Sequence, residues 1–217
     1  APRDQPFARL DPARAGKPLD ADQALAAERL RAGVRARDYG ATLLKGVTGS
    51  GKTEVYLEAV AETLRLGRQA LVLLPEIALT AEFLARVEDR FGARPGEWHH
   101  GITQTERRRV WRMTATGDVQ LVVGARSSLF LPFRDLGLIV VDEEHDTSYK
   151  QDDGVLYNAR DMAVLRASIT GAQVVLASAT PSLETWANAE AGKYARLNLT
   201  ARFGDAELPV MRAVDMR

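Results

Sequence analysis

The run Gly46-Val-Thr-Gly-Ser-Gly-Lys52-Thr53 lies between a short apolar stretch, Thr42-Leu-Leu-Lys, and a helix-like segment. It fits G-x-x-x-x-G-K-S/T, the phosphate-binding loop of nucleoside triphosphatases, and so demands a strand before it and a helix after it. Its glycines let the backbone curl. Successive N–H groups over Gly46, Val47, Thr48, Gly49, Ser50 and Gly51 then point at phosphates, as does the N-terminus of the next helix. Lys52 is expected to reach the β/γ-phosphates and to act in catalysis, and the Thr53 hydroxyl to ligate Mg²⁺. A plain Gly/Ser turn requires neither the lysine nor the hydroxyl. ADP or ATP with Mg²⁺ is the ligand this pattern predicts.

A second motif narrows the chemistry. Leu138-Ile-Val-Val-Asp142-Glu143-Glu144-His145 is an apolar run ending in acids. A strand covered on both faces reads this way, and ligands collect at the carboxyl ends of such strands. Asp142 is then placed to hold the Mg²⁺ shell. Glu143, one residue on, is the candidate to polarise an attacking water. Alone, the acids would read as a solvated turn; paired with the phosphate loop they read as a site.

The 217 residues suffice for one large α/β domain, with 46% hydrophobic and 27% charged content, ordinary for a globular chain. The 29 Lys+Arg balance 29 Asp+Glu, so charge gives no global argument for nucleic acid. No apolar run reaches membrane-spanning length. The absence of cysteine excludes disulfides and cysteine-zinc sites within this chain. Residues 1–18, with four prolines and a glycine, read as an interdomain linker. Residues 19–217 read as one domain, and both ends read as cut from a longer chain.

Asp20-x-x-Gln23 before Leu25, Leu30 and Val34 predicts a capped amphipathic helix. The helix after the phosphate loop is expected to turn Val55, Ala59 and Val60 inward, and Glu54, Glu58 and Glu62 outward. Further strands are expected at Gln69–Leu74, Val119–Val123 and Gln173–Ala177. Helices are expected with Leu79, Phe83, Val87 and Phe91 on one face, at about Gln104–Ala115, near Arg160–Ile169, and after Pro181. Alternating strands and helices imply a mostly parallel sheet with helices on both faces, a RecA-like P-loop lobe.

After Val174-Val-Leu-Ala comes Ser178-Ala179-Thr180-Pro181, which reads as a helix start with Thr180 as N-cap and Pro181 at the first helical position. The order of phosphate loop, Asp-Glu-Glu-His and Ser-Ala-Thr resembles the first motor lobe of superfamily 2 helicases. In that family the Ser-Ala-Thr segment helps couple the nucleotide site to movement between lobes, which points to Ser178 and Thr180. Longer matches are Gly46 to Tyr56, Leu74-Pro-Glu-Ile-Ala-Leu-Thr80, Gly124-Ala-Arg-Ser-Ser-Leu-Phe130, Asp142-Glu-Glu-His-Asp146, Ser148-Tyr-Lys-Gln151 and Ala159-Arg-Asp161. Through these, residues 19–217 resemble the PriA family of bacterial primosomal replication-restart DNA helicases.

The resemblance implies a 3′→5′ ATP-dependent DNA helicase that reloads the replication machinery at stalled or branched forks. Its implied partners are single-stranded DNA, single-stranded DNA-binding protein and primosomal proteins, in a cytoplasmic, nucleoid-associated setting. It also implies an N-terminal DNA-binding region, a second RecA-like lobe carrying arginines that complete the ATPase site, and cysteine-rich zinc sites, none within this chain. Two departures stand out. The family's tryptophan after Asp-Glu-Glu-His is Val155 here, leaving Tyr149 and Tyr157 as the loop's aromatics, and the usual His-Ser pair is His99-His100.

Gln23 matches the glutamine that reads adenine in such helicases, and it equally suits the capping-box partner of Asp20. His145 is the candidate link from the nucleotide site to the loop behind it, 145–158, which carries Tyr149 and Tyr157. That loop reads as a mobile relay between ATP and DNA, or as a plain connection. Arg126 and Ser127 are the candidates for the DNA backbone, whereas Arg107-Arg-Arg109 with Arg112 reads as tracking phosphates or as a solvated helix face. Two activities follow: a motor that hydrolyses ATP to move on DNA, or a nucleotide-dependent DNA-binding and partner-loading module that unwinds nothing.

Overall fold

The computed structural model describes residues 6–200. Its elements are α1 Ala21–Ala36, β1 Gly40–Gly46, α2 Lys52–Arg65, β2 Gln69–Leu73, α3 Ala81–Phe91, β3 Gly96–Trp98, α4 Gln104–Thr116, β4 Leu121–Gly124, β5 Leu136–Val141, β6 Lys150–Gln151, β7 Tyr157–Asn158, α5 Ala159–Thr170, β8 Gln173–Ser178, α6 Leu183–Glu190 and β9 Ala195–Leu199. Seven strands form one sheet in the order β3-β4-β2-β5-β8-β1-β9, every pairing parallel. β6 and β7 form a separate antiparallel hairpin.

Strands β2, β4 and β5 are buried at every position, which is why they read as unbroken apolar runs. Successive side chains feed two cores. Val72, Val140 and Val175 meet α1, α2 and α3 on one face; Leu71, Ile139 and Val174 meet α4 and α5 on the other. The phosphate loop follows the carboxyl end of β1, and the acids follow that of β5. Only β8 separates those two strands, so both motifs reach one rim of the sheet.

Several local expectations are corrected. Leu25 is 61% exposed, because the buried face of α1 is Gln23, Ala26, Ala27, Leu30 and Val34. Leu79 precedes α3, whose N-cap is Thr80. Glu54, Glu58 and Glu62 are half-buried in ion pairs, among them Lys17–Glu54 at 3.4 Å, Arg90–Glu58 at 2.9 Å and Arg65–Glu62 at 3.1 Å. They are not a solvated face, since α2 has α1 as a packed neighbour and receives Arg86 and Arg90 from α3. The N-cap of α6 is Ser182, whose Oγ accepts from the Thr185 N–H at 3.3 Å, so Thr180 and Pro181 lie outside that helix.

Two edge strands carry no strong sequence signal. β3 has three residues, and β9 pairs with β1 while leaving Ala195 and Arg196 exposed. Residues 6–18, expected as a linker, lie against the lobe. Leu10 is buried, its N–H donates to Gln120 Oε1 at 2.8 Å, and the Asp11 N–H donates to the Phe91 carbonyl at 2.8 Å. The end sequence Leu208–Met211 lies outside the described residues.

Candidate functional site

The phosphate loop is built by backbone constraints that only glycine meets at two points. Gly51 caps α2 with φ of 79°, and a Cβ at Gly46 would collide with the Ser50 side chain. Lys52 is buried, and its ammonium donates to the carbonyls of Gly46 at 2.7 Å and Val47 at 3.3 Å. Its charge is thus held inside the curl of the loop. The Ser50 hydroxyl is buried in the same loop with no hydrogen-bond partner. An orphaned hydroxyl, a buried ammonium and the start of α2 converge as anion donors, and they fit a polyphosphate.

Asp142, just past β5, faces this loop and is 8% exposed. The Tyr56 hydroxyl donates to its Oδ2 at 2.9 Å, and the Glu143 N–H donates to Oδ1 at 2.9 Å. Burial holds the Asp142 carboxyl above its usual range. The Tyr56 bond opposes that, the Glu143 charge adds to it, and the Glu143 amide and Lys52 pull it down. Tyr56 is fully buried, and the Thr53 side chain lies near its hydroxyl, so one phenol stands close to both expected Mg²⁺ ligands. A single carboxylate, a hydroxyl and nucleotide phosphates form an oxygen set that suits Mg²⁺, which seldom takes an all-protein cage. No group of three or more His, Asp or Glu side chains that could hold a metal exists among the described residues.

Tyr56→Phe should therefore lower unfolding stability by about 1.5–3 kcal/mol, the range for hydrogen bonds to charged groups, because Asp142 Oδ2 is left buried without its donor. The denaturant midpoint at neutral pH reads this. An unchanged midpoint would show that Tyr56 does not hold the carboxylate.

Beyond Asp142 the chain turns sharply. Glu143 has φ of 47°, a left-handed conformation that costs energy for a non-glycine residue. The turn leaves the Glu143 carboxyl 41% exposed and sends Glu144 inward with none of its side chain exposed. Glu144 Oε1 accepts from the Ser182 N–H at 2.7 Å, and Oε2 accepts from the hydroxyls of Ser182 at 2.9 Å and Thr185 at 2.8 Å. Arg160 Nη1 stands 3.6 Å from the same oxygen. His145 Nδ1 lies 2.8 Å from Ser178 Oγ, which accepts from the Thr180 N–H at 3.0 Å. The acidic turn is thereby bonded to the segment 178–185 through two consecutive residues.

The segment 145–158 is not the polar loop expected from its composition. A 3-10 turn at Thr147–Tyr149 leads into the β6–β7 hairpin. Tyr149 is core: it is 1% exposed, and its hydroxyl donates to the carbonyls of Asp142 at 2.5 Å and Leu73 at 3.0 Å. It is not available to stack on a base. Tyr157 meets Phe130 edge-on, ring centroids 5.1 Å apart, while Val155 and Leu156 are exposed at the hairpin tip. Arg126 Nη1 donates to the carbonyls of Ser148 at 3.1 Å and Lys150 at 2.9 Å, so it braces the hairpin. Exposed Ser127 accepts from Trp98 Nε1 at 3.1 Å.

Gln23 has both ends of its amide engaged. Oε1 accepts from the Asp20 N–H at 3.0 Å, completing the capping box, and Nε2 donates to the Ser50 carbonyl at 3.0 Å. It is 1% exposed and ties the start of α1 to the phosphate loop. Sequence reading placed Tyr56 and Glu144 inside motifs yet gave neither a role. Their partners Asp142 and Ser182 lie 86 and 38 residues away, beyond any local pattern.

The model of the DEAD/DEAH box helicase family matches residues 21–189. The replication restart protein PriA of Rickettsia felis is 51% identical over 175 residues, covering 81% of this chain and 27% of that protein. The PriA of Bacillus subtilis is 41% identical over 215 residues, covering 99% of this chain and 26% of its own length. The chain thus spans about a quarter of these relatives. Among solved structures, the Hef helicase domain of Pyrococcus furiosus superposes with a TM-score of 0.59 at 18% identity, covering 84% of this chain and 38% of that one. The helicase MrfA bound to DNA gives 0.55 at 15% identity, covering 91% and 32%. These two likenesses establish the fold.

Proposed function

This chain belongs to the DEAD/DEAH-box helicase family, and from that premise we propose that it is the ATP-binding first motor lobe of a 3′→5′ DNA helicase acting in replication restart. One observation carries the nucleotide part: Asp142, held by the Tyr56 hydroxyl, faces the phosphate loop with its buried Lys52 ammonium and unpartnered Ser50 hydroxyl. Phosphates would take the donors of Lys52, Ser50 and the loop backbone. Thr53 and Asp142 would hold Mg²⁺, which when bound would supply neutralising charge for phosphoryl transfer. Glu143, exposed beside it, orients the attacking water.

The similarity to PriA proteins supports the setting: forked or single-stranded DNA, primosomal partners and the bacterial cytoplasm. Coupling would run from Asp142 through His145 to Ser178 and Thr180, and from Asp142 through Tyr149 and Arg126 to the hairpin that presents Tyr157. Arg126 and Ser127 face the DNA backbone in this reading. Residues 1–18 would join the lobe to a preceding domain, and a second lobe would supply the arginines that complete the ATPase site.

The test is the ratio of ATP hydrolysis with and without single-stranded DNA, in the protein that carries both lobes. Stimulation is expected. In the isolated chain turnover should stay near background, since an arginine supplied from another element is worth roughly 10³–10⁵ in rate. An unchanged ratio with DNA bound would favour a loading module without motor activity. Helicase-like turnover by the chain alone would remove the need for a second lobe.

A further inference from the structure

The exposed face of α4 is not used by the nucleotide site. Trp98, Gln104, Arg107, Arg108, Trp111 and Arg112 line one groove there, and no acidic residue lines it. Trp111 is 50% exposed, although it sits three residues from Arg108 on the same helix face. Arg108 is exposed and pairs with no carboxylate among the described residues. Arg107 lies 4.7 Å from the Trp98 ring centroid and donates to the His99 carbonyl at 2.9 Å, which fixes the groove's inner wall. The Trp98 indole N–H reaches Ser127 Oγ, so that wall is continuous with the segment proposed to meet the DNA backbone. α4 begins beyond the carboxyl end of β3, so the Gln104 end of the groove lies toward the rim that carries the phosphate loop, while Arg112 lies toward the opposite ends of β2 and β4 with Gln69 and Gln120.

We propose that this groove is a continuation of the single-stranded DNA track, with Trp111 as a stacking platform and Arg108 as a phosphate contact. The inference rests on the DNA-binding reading above and extends the path past Ser127 to the edge of the sheet. A single strand offers bases and phosphates side by side, which matches an indole flanked by guanidinium groups. An apolar peptide would match the ring and leave Arg108 without a counter-charge. An acidic peptide would match the arginines and leave the ring without a partner of its own size.

Oligothymidylates of 4 and 16 nucleotides would be titrated into the chain, following tryptophan emission. Of its three tryptophans, Trp98 is buried and Trp186 half-buried, so Trp111 is the one open to a base. The 16-mer should bind more tightly than the 4-mer and quench emission. Trp111→Ala should weaken the 16-mer by about 5- to 150-fold, the range for one base-aromatic stack, and Arg108→Glu should weaken it and make binding less salt-dependent. Both side chains are exposed, so thermal melts should match wild type. Equal binding of the two lengths, with Trp111 emission unmoved, would overturn the track while leaving DNA binding by the lobe intact. Failure of both lengths to bind would overturn the DNA reading and the track with it. Quenching by polyglutamate but not by DNA would make the groove a docking site for an acidic peptide.

Discussion

Glu144→Ala should lower the melting temperature of the lobe by about 6–20 °C. The estimate follows from taking the charged acceptor away from buried donors, about 3–5 kcal/mol for two charge-assisted hydrogen bonds, at roughly 2–4 °C per kcal/mol for a domain of this size. Removing the carboxylate strips acceptors from the Ser182 amide and from the hydroxyls of Ser182 and Thr185, while Arg160 keeps its closer partner Asp161 at 2.8 Å. The Ser182 amide is one of the first orphan donors of α6, so its loss frees the end of that helix. Glu144→Gln keeps one acceptor and nearly the same volume, and should cost much less. Thermal unfolding of the three proteins measures this. A shift under 2 °C for the alanine variant would show that the network does not hold the acidic turn to α6.

Lys52→Ala should weaken ATP binding by about 100-fold or more. Hydrogen bonds to charged groups are each worth roughly 1.5–3 kcal/mol, and the ammonium is placed to meet two phosphates. In the structure this ammonium holds the carbonyls of Gly46 and Val47 together, so its removal also loosens the curl of the loop. The fold should survive, because Lys52 opens α2 without filling its core. Equilibrium binding of ATP reads the effect. Unchanged affinity would dissociate the loop from nucleotide binding.

What the sequence revealed was written in local signals. The glycines around Lys52 fix a turn, and the apolar run before Asp142 fixes a central parallel strand, so the lobe and its rim were legible. Edge strands were not: β9 is exposed at Ala195, Arg196 and Asn198, and β3 is only Gly96–Trp98. Tyr149 was misplaced because its neighbours are polar. The 3-10 turn after Asp146 folds it back beneath β2 and β5, where its hydroxyl finds two carbonyls. Arg126 looked like a phosphate contact and is also a brace, since an arginine's neighbours in space are invisible in its neighbours in sequence. The same holds for Tyr56, whose proton ends at a carboxylate 86 residues away.

The most direct measurement is a calorimetric titration of ATP into the wild-type chain and the Lys52→Ala variant, with Mg²⁺ present and with Mg²⁺ chelated. The account predicts saturable binding by wild type, tighter with Mg²⁺ because Thr53 and Asp142 complete its shell, and no measurable heat for the variant under either condition. Equal affinity for wild type and variant, with or without the metal, would contradict it.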